Sequence, residues 1–118
     1  MEFRERQAIY LQIGDYICEN ILRKKWEQGD RIPSIRELSV SIEVNPNTVM
    51  RSYGYLQDRG IIYNKRGIGY FVAENAYEKT LELKKQSFIK RELPRLFNTM
   101  DLLELSFEDL KAIYRESR

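Results

Sequence analysis

Asn47, Thr48, Arg51 and Tyr55 fall on one side of a helical wheel of about 3.6 residues per turn, and their side chains suit hydrogen bonding to a polar surface rather than covalent chemistry. Asn can pair bidentately with adenine, Arg can address guanine or a phosphate, and Thr offers a methyl or a hydroxyl. Cations suited to phosphate lie before and after them, at Arg36 and at Lys65 and Arg66. Backbone N–H groups at helix starts after Ser34 and Asn45 would add uncharged anion sites. Catalytic groups are missing from this pattern. The 118 residues contain no histidine and a single cysteine, Cys18, which removes Ser-His and Cys-His nucleophiles and most transition-metal sites. One cysteine also makes neither an internal disulfide nor an unaided zinc site. The carboxylates are scattered at helical-surface spacings. Gly67 and Gly69 lie between two β-rich runs instead of opening a helix, so they do not read as a nucleotide cradle. Neither an enzyme nor a cofactor is expected.

The elements that must position these residues carry their own signals. Ser34 with Glu37 is a capping-box pattern, and Ile35, Leu38 and Ile42 give the helix behind it one apolar face. Glu43-Val44 turns the chain. Asn45 is a preferred N-cap and Pro46 suits the first helical position. Val49, Tyr53 and Leu56 then form an inward stripe. Two short helices and a tight turn read as a helix-turn-helix; an ordinary helical hairpin with a solvated outer face is the alternative. Gly60 ends the second helix. From Ile61 to Val72 two β-rich runs flank the turn at Gly67 and Gly69, with Lys65 and Arg66 at its tip. A helix-turn-helix followed by a basic-tipped hairpin is the layout of a winged helix. Gly67 and Gly69 can serve backbone geometry alone. Tyr55 can stack on a sugar-phosphate or simply be exposed, and Arg31 and Arg59 read equally as solvated charges.

Residues 7–25 read as a further helix, with Tyr10, Ile13, Ile17 and Ile21 in its stripe and Ile9 and Leu22 broadening it. Cys18 would be a small hydrophobe on that face. Gly29-Asp30 is a turn signal, Arg31-Ile32 a candidate short strand beside the hairpin, and Trp26 a cover for the core or an anchor for a partner. The spacing predicts one long helix over 75–100, carrying Leu81, Phe88, Ile89, Leu93, Leu96, Phe97 and Met100, with a kink near Lys90–Leu93 from Pro94. A last helix follows Ser106 as N-cap, with Asp109 at N3 and Phe107, Leu110 and Tyr114 on one face. Such a pair exposes more apolar surface than it can bury against itself, so it either folds back on the preceding domain or joins a second copy. It is too short to enclose a ligand site of about 300 Å³.

Composition bounds the class. Hydrophobic residues at 42% and charged residues at 32% describe an ordinary globular chain, and a net charge of +2 means that charge must be read locally. No apolar run approaches the ~20 residues of a membrane span. The charged opening Met1-Glu-Phe-Arg-Glu-Arg6 is not followed by a signal-peptide core. The expected location is cytoplasmic.

Ile9-Tyr-Leu-Gln-Ile13, Gly29-Asp-Arg-Ile-Pro-Ser-Ile-Arg-Glu-Leu38, the Val44–Tyr53 run and Arg66-Gly67-x-Gly69-Tyr-Phe-Val72 together resemble the DNA-binding domain of GntR-type bacterial transcription regulators over residues 7–73. The short tail resembles the YtrA-type subclass. The resemblance implies a mainly α fold with a small β-hairpin, a winged helix-turn-helix over 1–73 and a helical dimerisation segment over 74–118. It implies sequence-specific binding of double-stranded DNA by a homodimer at an inverted repeat, with repression as the expected outcome, and it names no small-molecule effector. Ser34, Arg36, Asn47, Thr48, Arg51, Arg66, Gly67 and Gly69 match contact or wing positions. Two departures matter: Pro46 and Met50 stand where many such regulators place arginine, so base preferences do not transfer. Ile68 also replaces an often polar wing residue. A winged-helix adaptor for protein contacts and a replication or partition factor are the rival functions.

Overall fold

The computed structural model describes residues 7–118; the charged opening at residues 1–6 lies outside the described residues. Three helices come first: α1 (Ile9–Leu22), α2 (Ile35–Ile42) and α3 (Pro46–Asp58). Ser34 accepts from the N–H of Glu37 and Glu37 accepts from that of Ser34, both at 3.0 Å, so the capping box closes as expected. Asn45 Oδ1 accepts from the N–H of Asn47 at 2.8 Å, with Pro46 following as the first helical residue. Glu43 makes the turn in a left-handed conformation, φ +55°. Ser39 secures that turn from the other side by donating its hydroxyl to the carbonyl of Val44.

Ile13, Ile17, Cys18 and Ile21 of α1, Leu38 of α2 and Val49, Tyr53 and Leu56 of α3 are all buried, which makes the expected stripes one core. Tyr53 is its centre. The hydroxyl donates to the carbonyl of Pro33, and the ring meets that of Tyr70 edge-on, with centroids 4.9 Å apart. Burial first, and the neighbouring Tyr70 second, push the Tyr53 hydroxyl's pKa up, so it stays a donor.

Gly60, at φ +72°, ends α3 and leads to β1 (Ile62–Lys65) and β2 (Gly69–Val72), paired antiparallel from Ile62 with Val72 to Lys65 with Gly69. The Arg31-Ile32 segment adds a bridge to β2 opposite Phe71; Ile32 N–H donates to Tyr70 O at 3.0 Å and Val72 N–H to Asp30 O at 2.9 Å. Trp26 is half-buried and stands edge-on to Tyr16. The mainly helical winged helix-turn-helix with a small hairpin and C-terminal helices is thus the observed architecture.

The first compact unit runs to Glu82, past the expected boundary at 73. The reason lies in α4 (Ala76–Ser87): Ala76 and Thr80 are buried, and Lys79 Nζ reaches the carbonyl of Gly60 at 3.3 Å. The second unit begins at Leu83. The expected single helix over 75–100 is two helices separated by a π-helical turn at Phe88–Glu92, before α5 (Leu93–Leu102). Pro94 has no N–H for the carbonyl four residues back, and the widened turn lets the N–H of Leu93 bond Phe88 O instead. A capping box between Ser106 and Asp109 then starts α6 (Phe107–Glu116). Among the described residues no helix is long and apolar enough to cross a membrane.

Two measurements probe this framework. A Cβ on Gly54, in the middle of α3, would meet nothing within 4 Å. Gly54→Ala is therefore expected to raise stability by about 0.5–1 kcal/mol in denaturant unfolding, through helix propensity alone. The hydrogen bonds from Ser34 hold Glu37's carboxyl below its ordinary pKa of 4.5. A depressed folded-state pKa contributes stability above the unfolded value and loses it as pH falls through the folded one. The Tm gap between wild type and Glu37→Ala should therefore narrow as pH drops from 5 towards 3, by roughly the linkage rule. A gap that stays constant would contradict the assignment.

Candidate nucleic-acid interface

α3 is fixed from behind by Val49, Ser52, Tyr53 and Leu56, all fully buried. That rotation turns Asn47, Met50 and Arg51 outward, with Thr48 half-buried at the margin of the same face. Arg36 is exposed on the first turn of α2. The capping residues are partly spent on their own helices: Ser34 and Asn45 take the N–H groups of Glu37 and Asn47. The anion sites expected at these helix starts are correspondingly reduced to the N–H groups that the caps leave.

The wing is built by local geometry. Gly67 has φ +79° and Gly69 +143°, conformations that side chains other than glycine's rarely adopt. A Cβ at Gly69 would also lie 3.0 Å from Arg31 Nε. Arg66, Gly67 and Ile68 form the exposed tip, closed by a 2.8 Å bond from Ile68 N–H to Lys65 O. Lys65 holds its ammonium 5.1 Å from the centre of the Phe71 ring, and that ring stacks on Tyr63. Arg31 reaches Glu37 at 3.7 Å, between the wing and α2.

Tyr55 is less open than a stacking platform would be. It is half-buried, its ring lies edge-on to Tyr10 of α1, and the Arg59 guanidinium stands 3.7 Å from its centre. Arg59, for which a solvated charge is one of two equal readings, is exposed and at the same time seated on this ring. Arg51 stands 4.0 Å from the centre of the Tyr10 ring. By spacing Tyr10 belongs to the apolar stripe of α1, and its sole sequence signal is an aromatic one turn before the buried Ile13. Met50 is a second residue of this face whose type carries no contact signal. It is 53% exposed on the outer side of α3.

The residues expected to pair two copies divide between the units. Leu81 is half-buried in the first. In the second, Phe88, Ile89, Leu96, Phe97, Phe107 and Tyr114 are exposed, Leu93 and Leu110 are half-buried, and Met100 is buried. Leu102 and Leu103, which the sequence reading did not select, are exposed as well. A shallow groove of about 250 Å³ lies in the first unit, lined by Ile21, Trp26, Val72, Asn75 and Tyr77 among others. It is smaller than the roughly 300 Å³ at which ligand pockets begin. Among the described residues, no cluster of three or more His, Cys, Asp or Glu is gathered for a metal.

Residues 9–72 match the gntR family of bacterial regulatory proteins. The chain is 43% identical over 75 residues to the HTH-type transcriptional regulator YhcF of Bacillus subtilis, covering 64% of this chain and 62% of that protein. It is 41% identical over 113 residues to the HTH-type transcriptional repressor YtrA of the same organism, covering 96% of this chain and 86% of that one. A crystal structure of a GntR-family regulator from Bacteroides thetaiotaomicron superposes with a TM-score of 0.75 at 48% identity, covering 92% of this chain and 95% of the other. The chain therefore belongs to the GntR family, whose members are DNA-binding transcriptional regulators and not enzymes.

Proposed function

We propose that the chain acts in the cytoplasm as a homodimeric repressor of the YtrA-type short subclass, sitting on an inverted-repeat operator. The observation that carries this reading is the joint exposure of Asn47, Met50 and Arg51 on α3 and of Lys65 and Arg66 on the hairpin that follows it. α3 enters the major groove, Asn47, Thr48 and Arg51 address bases or flanking phosphates, and the wing follows the backbone into the neighbouring minor groove. Arg36, Lys65 and Arg66 supply sequence-independent attraction to phosphate. Ser34, Asn45, Gly67 and Gly69 shape the helix starts and the wing that bring these groups to DNA, and Tyr55 braces α3 from the α1 side.

The apolar side chains of the second unit supply the seam between copies, with the unit spanning Leu83–Arg118. Phe97, Phe107 and Tyr114 are each about half exposed or more, and large aromatic surfaces of this kind lose the most hydration on association. Pairing two recognition helices doubles the read sequence and fixes its symmetry. Similarity to YtrA along 96% of the chain supports the subclass.

Selection of duplexes from a randomised library by the full chain is expected to return an inverted repeat. Equal, weak binding to every duplex at physiological salt would refute the reading. On the selected site, Arg51→Ala should cost about 1–3 kcal/mol and relax preference at one position of each half-site, whereas Lys65→Ala should weaken all duplexes alike and lower the salt slope. Light scattering should give a dimer for wild type. Phe97→Glu is expected to shift it to monomer and to cut affinity for the full repeat far more than for a half-site; a monomeric wild type would overturn the pairing.

A further inference from the structure

A long arginine on a recognition surface carries a cost of its own. Free in solvent its side chain samples many rotamers, and fixing it on a target sacrifices that freedom. Arg51 is not free in this way. Its guanidinium carbon lies 4.0 Å from the centre of the Tyr10 ring, well inside cation–π range. Tyr10 belongs to α1, so the contact crosses from one helix to another.

Tyr10 is itself held. It is half-buried, one turn before the fully buried Ile13, and meets Tyr55 edge-on at 6.2 Å between centroids and 72° between planes. Tyr55 carries Arg59 at 3.7 Å, and Arg59 donates to the Tyr55 carbonyl at 3.3 Å. The result is a pair of rings flanked by two cations, in the order Arg51, Tyr10, Tyr55, Arg59, along the junction of α1 and α3. Among the described residues no carboxylate pairs with Arg51. The attraction that restrains its guanidinium comes from the ring quadrupole, which competes with no hydrogen-bond acceptor on DNA.

We propose that Tyr10 is a positioning residue for Arg51: its ring keeps the guanidinium ordered at the edge of α3 before DNA arrives. Tyr10 touches no base in this scheme and acts through Arg51. The inference deepens the reading of Arg51 as a DNA contact and rests on it.

The test is a double-mutant cycle by fluorescence anisotropy, with the duplex selected by the wild-type full chain as probe. Tyr10→Phe keeps the ring face and should bind like wild type. Tyr10→Leu should weaken binding by about twofold to fivefold, the range of a solvent-exposed cation–π contact. In an Arg51→Ala background, Tyr10→Leu should change nothing. If Tyr10→Leu fails to fold, Tyr10→Met takes its place in the cycle. Equal weakening in both backgrounds, accompanied by a lowered Tm, would make Tyr10 a packing residue and overturn the proposal. Loss on Arg51→Ala with none on Tyr10→Leu would overturn the positioning role alone. No loss on Arg51→Ala would overturn the DNA contact on which it rests.

Discussion

One side chain joins the three parts that a DNA reader of this kind must keep in register. Tyr53 lies wholly inside the core of α3, donates its hydroxyl to the carbonyl of Pro33 just ahead of α2, and lays its ring against Tyr70 of β2. A buried hydroxyl without a partner costs about 1–3 kcal/mol, and a buried carbonyl costs a similar amount, so each group enforces the position of the other. The aromatic contact adds an orientational preference that aliphatic packing lacks. Helix-turn-helix and wing are therefore not two modules joined by a linker. They share a central residue, and the rotation that buries Tyr53 is the same rotation that turns Asn47 and Arg51 outward.

What could be read from the sequence divides along the distance over which each interaction acts. The caps at Ser34, Asn45 and Ser106 need only residues two or three positions away, so their patterns specify them nearly in full. Gly60, Gly67 and Gly69 likewise announce their own backbone conformations. Stripes at helical spacing identified Ile13, Ile17, Val49, Tyr53 and Leu56 as core, because burial of one helical face needs no knowledge of what covers it. Contacts between elements were less legible. The seat of Arg51 on Tyr10 and that of Arg59 on Tyr55 depend on where α1 crosses α3, which no local pattern encodes. The helix signals on either side placed the turn at Glu43-Val44, but the left-handed conformation of Glu43 carried no signal, because the residue is neither glycine nor asparagine.

The C-terminal half illustrates the same division. The family resemblance ends near residue 73, and the expected boundary falls there. The first turns of α4 nonetheless belong with the winged helix, and they do so through Ala76 and Thr80, whose small side chains leave almost no mark on an apolar pattern. Pro94 announced a disturbance but not its form. Whether a helix bends sharply or widens at proline depends on which carbonyl the nearest N–H can reach, and here Leu93 reaches Phe88.

The short bridge between Arg31 and Phe71 has a mechanical meaning on the proposed reading. It stitches the approach to α2 onto the hairpin, which makes the wing an arm of fixed span instead of a hinged flap. A rigid gauge of this sort fits only those duplexes whose groove dimensions already suit it or are cheaply deformed to do so. Preference would then extend to base pairs that no side chain reaches, set by the stiffness of the double helix itself.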